Sequence, residues 1–125
     1  TYEKFSKNIN QIKTNLVNFI EKAKKESKHV ICYGAPAKGN TLLNYCKISK
    51  DLIDYTVDKN PNKQNLFLPG THIPIFSPEK IKETKPDFIL ILPWNLQDEI
   101  INELHYVKSW GCQFIIPMPE IKVLQ

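Results

Sequence analysis

No arginine occurs in the chain: its 17 basic residues are all lysines and, against 13 acids, they leave a net charge of +4. Proteins that read bases and clamp phosphates lean on the planar arginine fork, so nucleic acid is not an expected partner, and lysine-bearing helix faces read as solvated surface. The three cysteines, Cys32, Cys46 and Cys112, are odd in number, widely spaced and without a C-x-x-C pair. That pattern excludes a disulfide framework, leaves no metal-ligand spacing, and points to reduced thiols in a cytoplasmic protein. No apolar run approaches the ~20 residues a membrane helix needs, and nothing near the start resembles an export signal; no membrane partner is expected. The chain opens on Thr1 and holds a single methionine, Met118, which leads to the expectation that it is a piece of a longer protein.

With 125 residues and 42% hydrophobic content, the chain has enough apolar mass for one domain with a core. Phe5, Ile9, Ile12, Leu16, Phe19, Ile20 and Ala23 recur at three- and four-residue steps, which predicts a long amphipathic leading helix within residues 1–27, ahead of an α/β core and tail over 28–125. His29–Tyr33 is a short apolar strand, Gly34-Ala-Pro-Ala-Lys-Gly39 a loop, and Asn40–Cys46 a helix. Leu52–Val57 is a second strand ending at Asp58, followed by the turn-rich stretch Lys59–Thr71 and a short third strand, Ile73-Pro-Ile75, whose proline implies an edge position. Ser77-Pro78 starts a short helix that Pro86 stops, and the unbroken run Asp87–Leu92 reads as a central strand buried on both faces. A helix from Asn95 to Trp110, stopped by Gly111, precedes a fifth strand, Gln113–Ile116, and a proline-bearing extended tail.

This order predicts a Rossmann-like α/β fold with a five-stranded, mostly parallel sheet in the order 3-2-1-4-5. Its ligand crevice lies beyond the carboxyl ends of strands 1 and 4, where Gly34–Asn40 and Trp94-Asn95 are expected to face each other.

Two standard cofactor readings of the loop each stumble on one residue. A dinucleotide fingerprint G-x-G-x-x-G started at Gly34 meets Pro36 at its second glycine, although Asp58 stands where such proteins hold a ribose diol. A phosphate loop G-x-x-x-x-G-K-[ST] meets Asn40 where its lysine belongs. What remains is Lys38 as a mobile cation, Asn40 and Thr41 as neutral hydrogen-bonders, and the start of a helix. These could hold a phosphate or carboxylate, or the glycines could simply permit a tight turn.

Three motifs in register carry a resemblance. Tyr33-Gly-Ala-Pro-Ala-Lys-Gly-Asn-Thr-Leu-Leu-Asn44, then Asp58-Lys-Asn-Pro-Asn-Lys-Gln64 with Pro69-Gly-Thr-His-Ile-Pro-Ile75, then Ile91-Leu-Pro-Trp-Asn-Leu96 resemble the C-terminal domain of the S-adenosylmethionine-dependent sugar C-methyltransferases. The resemblance implies a parent with a small zinc-binding N-terminal part and a central methyl-donor domain that carries catalysis. This domain would then close over a nucleotide-linked deoxysugar. It further implies that the chain itself holds no cofactor and no catalytic residue, and that its partners are the upstream domains and the sugar nucleotide.

The positions that match the motifs and lie at the predicted carboxyl edge are Gly34, Ala35, Lys38, Gly39, Asn40, Asp58, Asn60, Gly70, Thr71, His72, Trp94 and Asn95. Lys38 and Asn40 are expected near a diphosphate or sugar, Trp94 as a flat wall or packed under the first helix, and Asn95 as a polar contact or helix cap. Asp58 serves either a hydroxyl or the Asn60-Pro61 turn, and His72 is either a substrate contact or part of its loop. Two other readings stay open: an independent NAD-binding module, and a scaffold that only docks to its neighbour.

Overall fold

A computed structural model describes residues 2–118 and 121–124, with side chains from Ile9 onward; the expected place of Phe5 on the first apolar stripe lies outside those side chains. Helix α1 (Tyr2–Lys25) buries Ile12, Leu16, Ile20 and Ala23 along one face. Lys22, Lys24 and Lys25 occupy its last turn, where positive charge offsets the exposed carbonyls. There follow β1 (Val30–Tyr33), α2 (Ala37–Tyr45), β2 (Thr56–Val57), β3 (Ile75–Phe76), α3 (Lys80–Thr84) and β4 (Phe88–Ile91). A 3-10 turn (Trp94–Leu96), α4 (Gln97–Glu103), a second 3-10 segment (His105–Trp110), β5 (Gln113–Ile116) and β6 (Lys122–Leu124) complete the chain.

The sheet runs β3-β2-β1-β4-β5-β6. Its first five strands are parallel, in the order expected from the motif spacing. The expected five strands are corrected to six: Lys122–Leu124 pairs antiparallel with β5, Ile115 opposite Val123. The expected tail is an extended, proline-bearing segment outside the sheet; Pro117 falls in the connection after β5, and Lys122–Leu124 beyond it are free to pair.

Alternation along the strands splits the core into two layers. Val30 and Cys32 of β1 and Phe88, Leu90 and Leu92 at β4 face α1 and α2, meeting Leu16, Ile20 and Leu43. Ile31, Tyr33, Ile89 and Ile91 face the other way, onto Ile81 of α3 and Ile100 of α4. Both central strands are therefore apolar on each face. The expected single helix from Asn95 breaks at Leu104, and Gly111 ends it at φ 83°, as its position suggested. Pro74 sits beside the edge strand β3, where its carbonyl accepts Thr56 N–H at 2.9 Å and its missing N–H does no harm.

Candidate functional site

Tyr33 lies opposite Ile91 in the β1–β4 pairing, so the loops leaving these strands emerge side by side. Gly34 turns at φ +93°, and a Cβ there would lie 2.8 Å from Pro93 Cδ. A Cβ on Gly39 would lie 2.7 Å from Leu92 Cβ. Both glycines thus serve the close approach of the α2 entry to the β4 exit. Gly34 N–H donates to Val57 O at 2.6 Å, and the Gly34 carbonyl accepts the buried Thr56 hydroxyl at 2.7 Å.

Asp58 ties the loop to the end of β2. One carboxylate oxygen accepts Ala35 N–H at 3.0 Å and the other accepts Asn60 N–H at 2.9 Å, while Asn60 Oδ1 accepts Asn62 N–H at 3.0 Å. The turn role of Asp58 is therefore made, and the same carboxylate also holds the first loop.

Across the crevice Lys38 donates to Asn95 Oδ1 at 2.6 Å and lies 4.8 Å from the Trp94 ring. Asn95 is a polar contact here, and neither adjacent helical segment has a side-chain cap. Trp94 is half-buried against the α3/α4 layer, on the face of the sheet opposite α1, so it does not pack under the first helix. Asn40 Oδ1 is buried without a hydrogen-bond partner, and Thr41 spends its hydroxyl on the Ala37 carbonyl at 3.0 Å.

Gly70, Thr71 and His72 lie elsewhere. Pro69 O accepts Asn44 Nδ2 at 3.1 Å, and a Cβ on Gly70 would fall 2.3 Å from Asn44 Oδ1, so this loop docks on α2. Thr71 is buried, accepting Ile73 N–H at 3.4 Å, and His72 is exposed at φ 59° with its N–H on Leu68 O.

The crevice deepens on the α4 side into a cavity of about 350 Å³. Gly34, Ala35 and Asp58 line it; the other nine expected site residues do not. Its remaining walls are Tyr33, Pro36, Pro93, Leu96 and Ile100, with Lys59, Lys63, Glu99 and Glu103 as polar groups. The Tyr33 hydroxyl donates to Glu103 Oε2 at 2.7 Å, and Lys59 donates to Glu103 Oε1. Burial first, then the Glu103 carboxylate, pushes the Tyr33 phenol well up. Burial would also raise Glu103, but the hydrogen bonds from Lys59 and Tyr33 outweigh it and hold the carboxyl below its ordinary value. Lys63 donates to Ala35 O at 3.1 Å. Sequence reading missed these polar groups. The available signal was Glu99 and Glu103, four residues apart on the helix that follows the central strand and flanking Ile100.

The turn departs from the usual glycine-rich cradle for a dinucleotide pyrophosphate. Gly34 and Ala35 have spent their N–H groups, Pro36 has none, and Gly39 is packed on Leu92. No thiol reaches the cavity: all three cysteines are buried free thiols outside its lining, burial pushing Cys112 up to about 12. Among the described residues no three His, Cys, Asp or Glu side chains converge as metal ligands. What the cavity offers is a bounded space with hydroxyl-binding groups over an apolar floor.

Comparison with known proteins gives the chain its family. Residues 1–119 match the model of the C-methyltransferase C-terminal domain. The C-methyltransferase NovU of Streptomyces niveus is 36% identical over 124 residues, which cover 98% of this chain and 29% of that protein. Among solved structures, UDP-D-quinovosamine 4-dehydrogenase from Vibrio fischeri superposes with a TM-score of 0.53 at 18% identity, over 78% of this chain and 93% of that one, a likeness of fold. With a cavity at the strand-order reversal and a family match over nearly its whole length, the chain belongs to the C-methyltransferase C-terminal domain family.

Proposed function

We propose that the chain is the substrate-side domain of an S-adenosylmethionine-dependent C-methyltransferase acting on a nucleotide-linked deoxysugar in the cytoplasm. In this reading the methyl donor, the base that removes the proton beside the sugar's keto group, and a structural zinc all belong to upstream domains. The chain's own residues bind and orient. Glu103, Tyr33 and Lys59 would engage ligand hydroxyls, while Pro93, Leu96 and Ile100 exclude water from one side.

One observation carries the reading: a cavity at the carboxyl ends of β1 and β4, in a member of this family, that holds hydroxyl-binding groups but neither histidine nor thiol. His72, the one sequence candidate for a proton carrier, is exposed outside that cavity. The NAD reading loses support because Asp58 already accepts two N–H groups and Pro36 stands where the fingerprint needs its second glycine.

The test is a calorimetric titration with a dTDP-linked deoxysugar, S-adenosylmethionine and NAD. Binding of the sugar nucleotide alone is the expected result. Micromolar binding of NAD would sink the proposal, and silence toward all three would favour a scaffold that only docks to its neighbour. In a longer parent sequence, a C-x-x-C cluster followed by a glycine-rich donor motif is expected upstream.

A further inference from the structure

The cavity beside Gly34 has the geometry of a nucleotide crevice but not its electrostatics. Resting on the reading above, we infer that it takes the uncharged sugar ring of the ligand and leaves the diphosphate outside.

Anion pockets in α/β proteins work by aiming unpaired N–H groups and mobile cations at one point. Here the loop residues that line the cavity offer few, and the N–H groups that open α2, at Ala37, Lys38 and Gly39, belong to residues outside its lining. Gly34 N–H is on Val57 O, Ala35 N–H is on Asp58, and Pro36 has no N–H. Lys38 is drawn away to Asn95 and Trp94 and does not line the cavity. Of the lysines that do, Lys59 is paired with Glu103 and Lys63 donates to Ala35 O. Three carboxylates, Asp58, Glu99 and Glu103, stand against those two ammonium groups, so the lining is one unit negative. A diphosphate brought in would meet this net negative lining with only the remaining N–H donors of two already engaged lysines, which disfavours it.

The same walls suit a deoxysugar ring. Glu103 keeps acceptor capacity beyond its two partners, and Glu99 has no ion-pair or hydrogen-bond partner among the described residues. Both can accept ring hydroxyls. The C–H face of a deoxysugar can rest on Pro93, Ile100 and Leu96, the last 43% exposed.

The experiment follows amide NMR shifts of the chain on addition of dTDP-L-rhamnose, dTDP or inorganic pyrophosphate. Amides at 33–35, 58–63 and 96–103 should move with dTDP-L-rhamnose and stay still with dTDP and pyrophosphate. Glu103→Ala should weaken that binding about tenfold, the loss of a hydrogen bond to a charged group, while the dispersion of the remaining spectrum shows the fold intact. If dTDP or pyrophosphate alone moves the cavity amides, the inference is overturned and the proposed function stands. It also fails, with the function standing, if dTDP-L-rhamnose binds but moves only amides elsewhere, or if Glu103→Ala leaves its affinity unchanged. Silence toward all three probes overturns both.

Discussion

Gly39 and Gly111 separate two reasons for a glycine. A methyl group at Gly39 would press on Leu92 Cβ at 2.7 Å, between a helix start and a central strand that cannot easily part, although the backbone there has no positive φ. Gly111 has φ +83° and open space around its missing Cβ. Gly39→Ala should therefore cost about 1–3 kcal/mol through overpacking, and Gly111→Ala about 1–2 kcal/mol through left-handed strain alone. Only the first should move the NMR signals of the Leu92 side chain, and denaturant unfolding of the two variants measures both costs. At Glu103 the expectation concerns pH. Its folded-state pKa lies below the ordinary 4.5, so its contribution is fully present above that value and is lost as pH falls through the lowered one. Because the side chain is 38% exposed, solvent screens the effect. Glu103→Gln should flatten the acid limb of a stability–pH curve below 4.5 and leave the neutral plateau little changed. An unchanged acid limb would show that the Lys59 and Tyr33 contacts carry no such linkage.

Among the elements, β6 and α1 show how far residue patterns reach. The parallel strands were legible because Asp87–Leu92 is an unbroken apolar run and His29–Tyr33 leads straight into a glycine turn. The sixth strand was not, since three residues behind two prolines carry no periodicity and take their pairing from β5. Leu52 and Ile53 read as strand, yet they lie in the turn before β2, with Ile53 N–H on Ser49 O at 3.1 Å. The site divided along the same line. Gly34 and Asp58 stand at strand ends, where position alone marks them, whereas Glu99 and Glu103 sit on a helix whose acids look like any solvated face until α4 is packed beside β4. Lys38 was legible as a crevice residue but not as one held by Trp94 and Asn95, because cation–ring contacts depend on the path of both loops. Removing residues 118–125 should leave the parallel sheet folded but uncover Ile121 and Leu124 contacts and the β5 edge. A loss of about 2 kcal/mol, on the scale of burying one or two half-covered aliphatic side chains, is expected by denaturant unfolding, together with greater self-association as the β5 edge is freed.

For the whole molecule, the question is whether two apolar layers divided by one sheet behave as one cooperative unit. Ile20 of α1 and Ile89 of β4 belong to different layers, both 0% exposed, yet each reaches the other through strands β1 and β4, which supply side chains to both. A sheet that forms half of each layer cannot keep its pairing when either layer opens, so the layers should unfold together. Ile20→Val and Ile89→Val should each cost about 1 kcal/mol, one buried methyl group apiece. Because the two side chains lie in different layers on opposite faces of the sheet, the double variant should lose the sum of the two within about 0.5 kcal/mol, in one transition seen alike by far-UV circular dichroism and tryptophan fluorescence. Trp94 and Trp110 both pack against the α3/α4 layer, so fluorescence reports on the side that Ile20 does not touch. If Ile20→Val shifted the circular dichroism transition and left the fluorescence transition where it was, α1 would be a separately melting attachment. The burial of Leu16 and Ile20 at 0% exposure against Val30, Leu90 and Ile115 argues instead that α1 is part of the core on which the crevice is built.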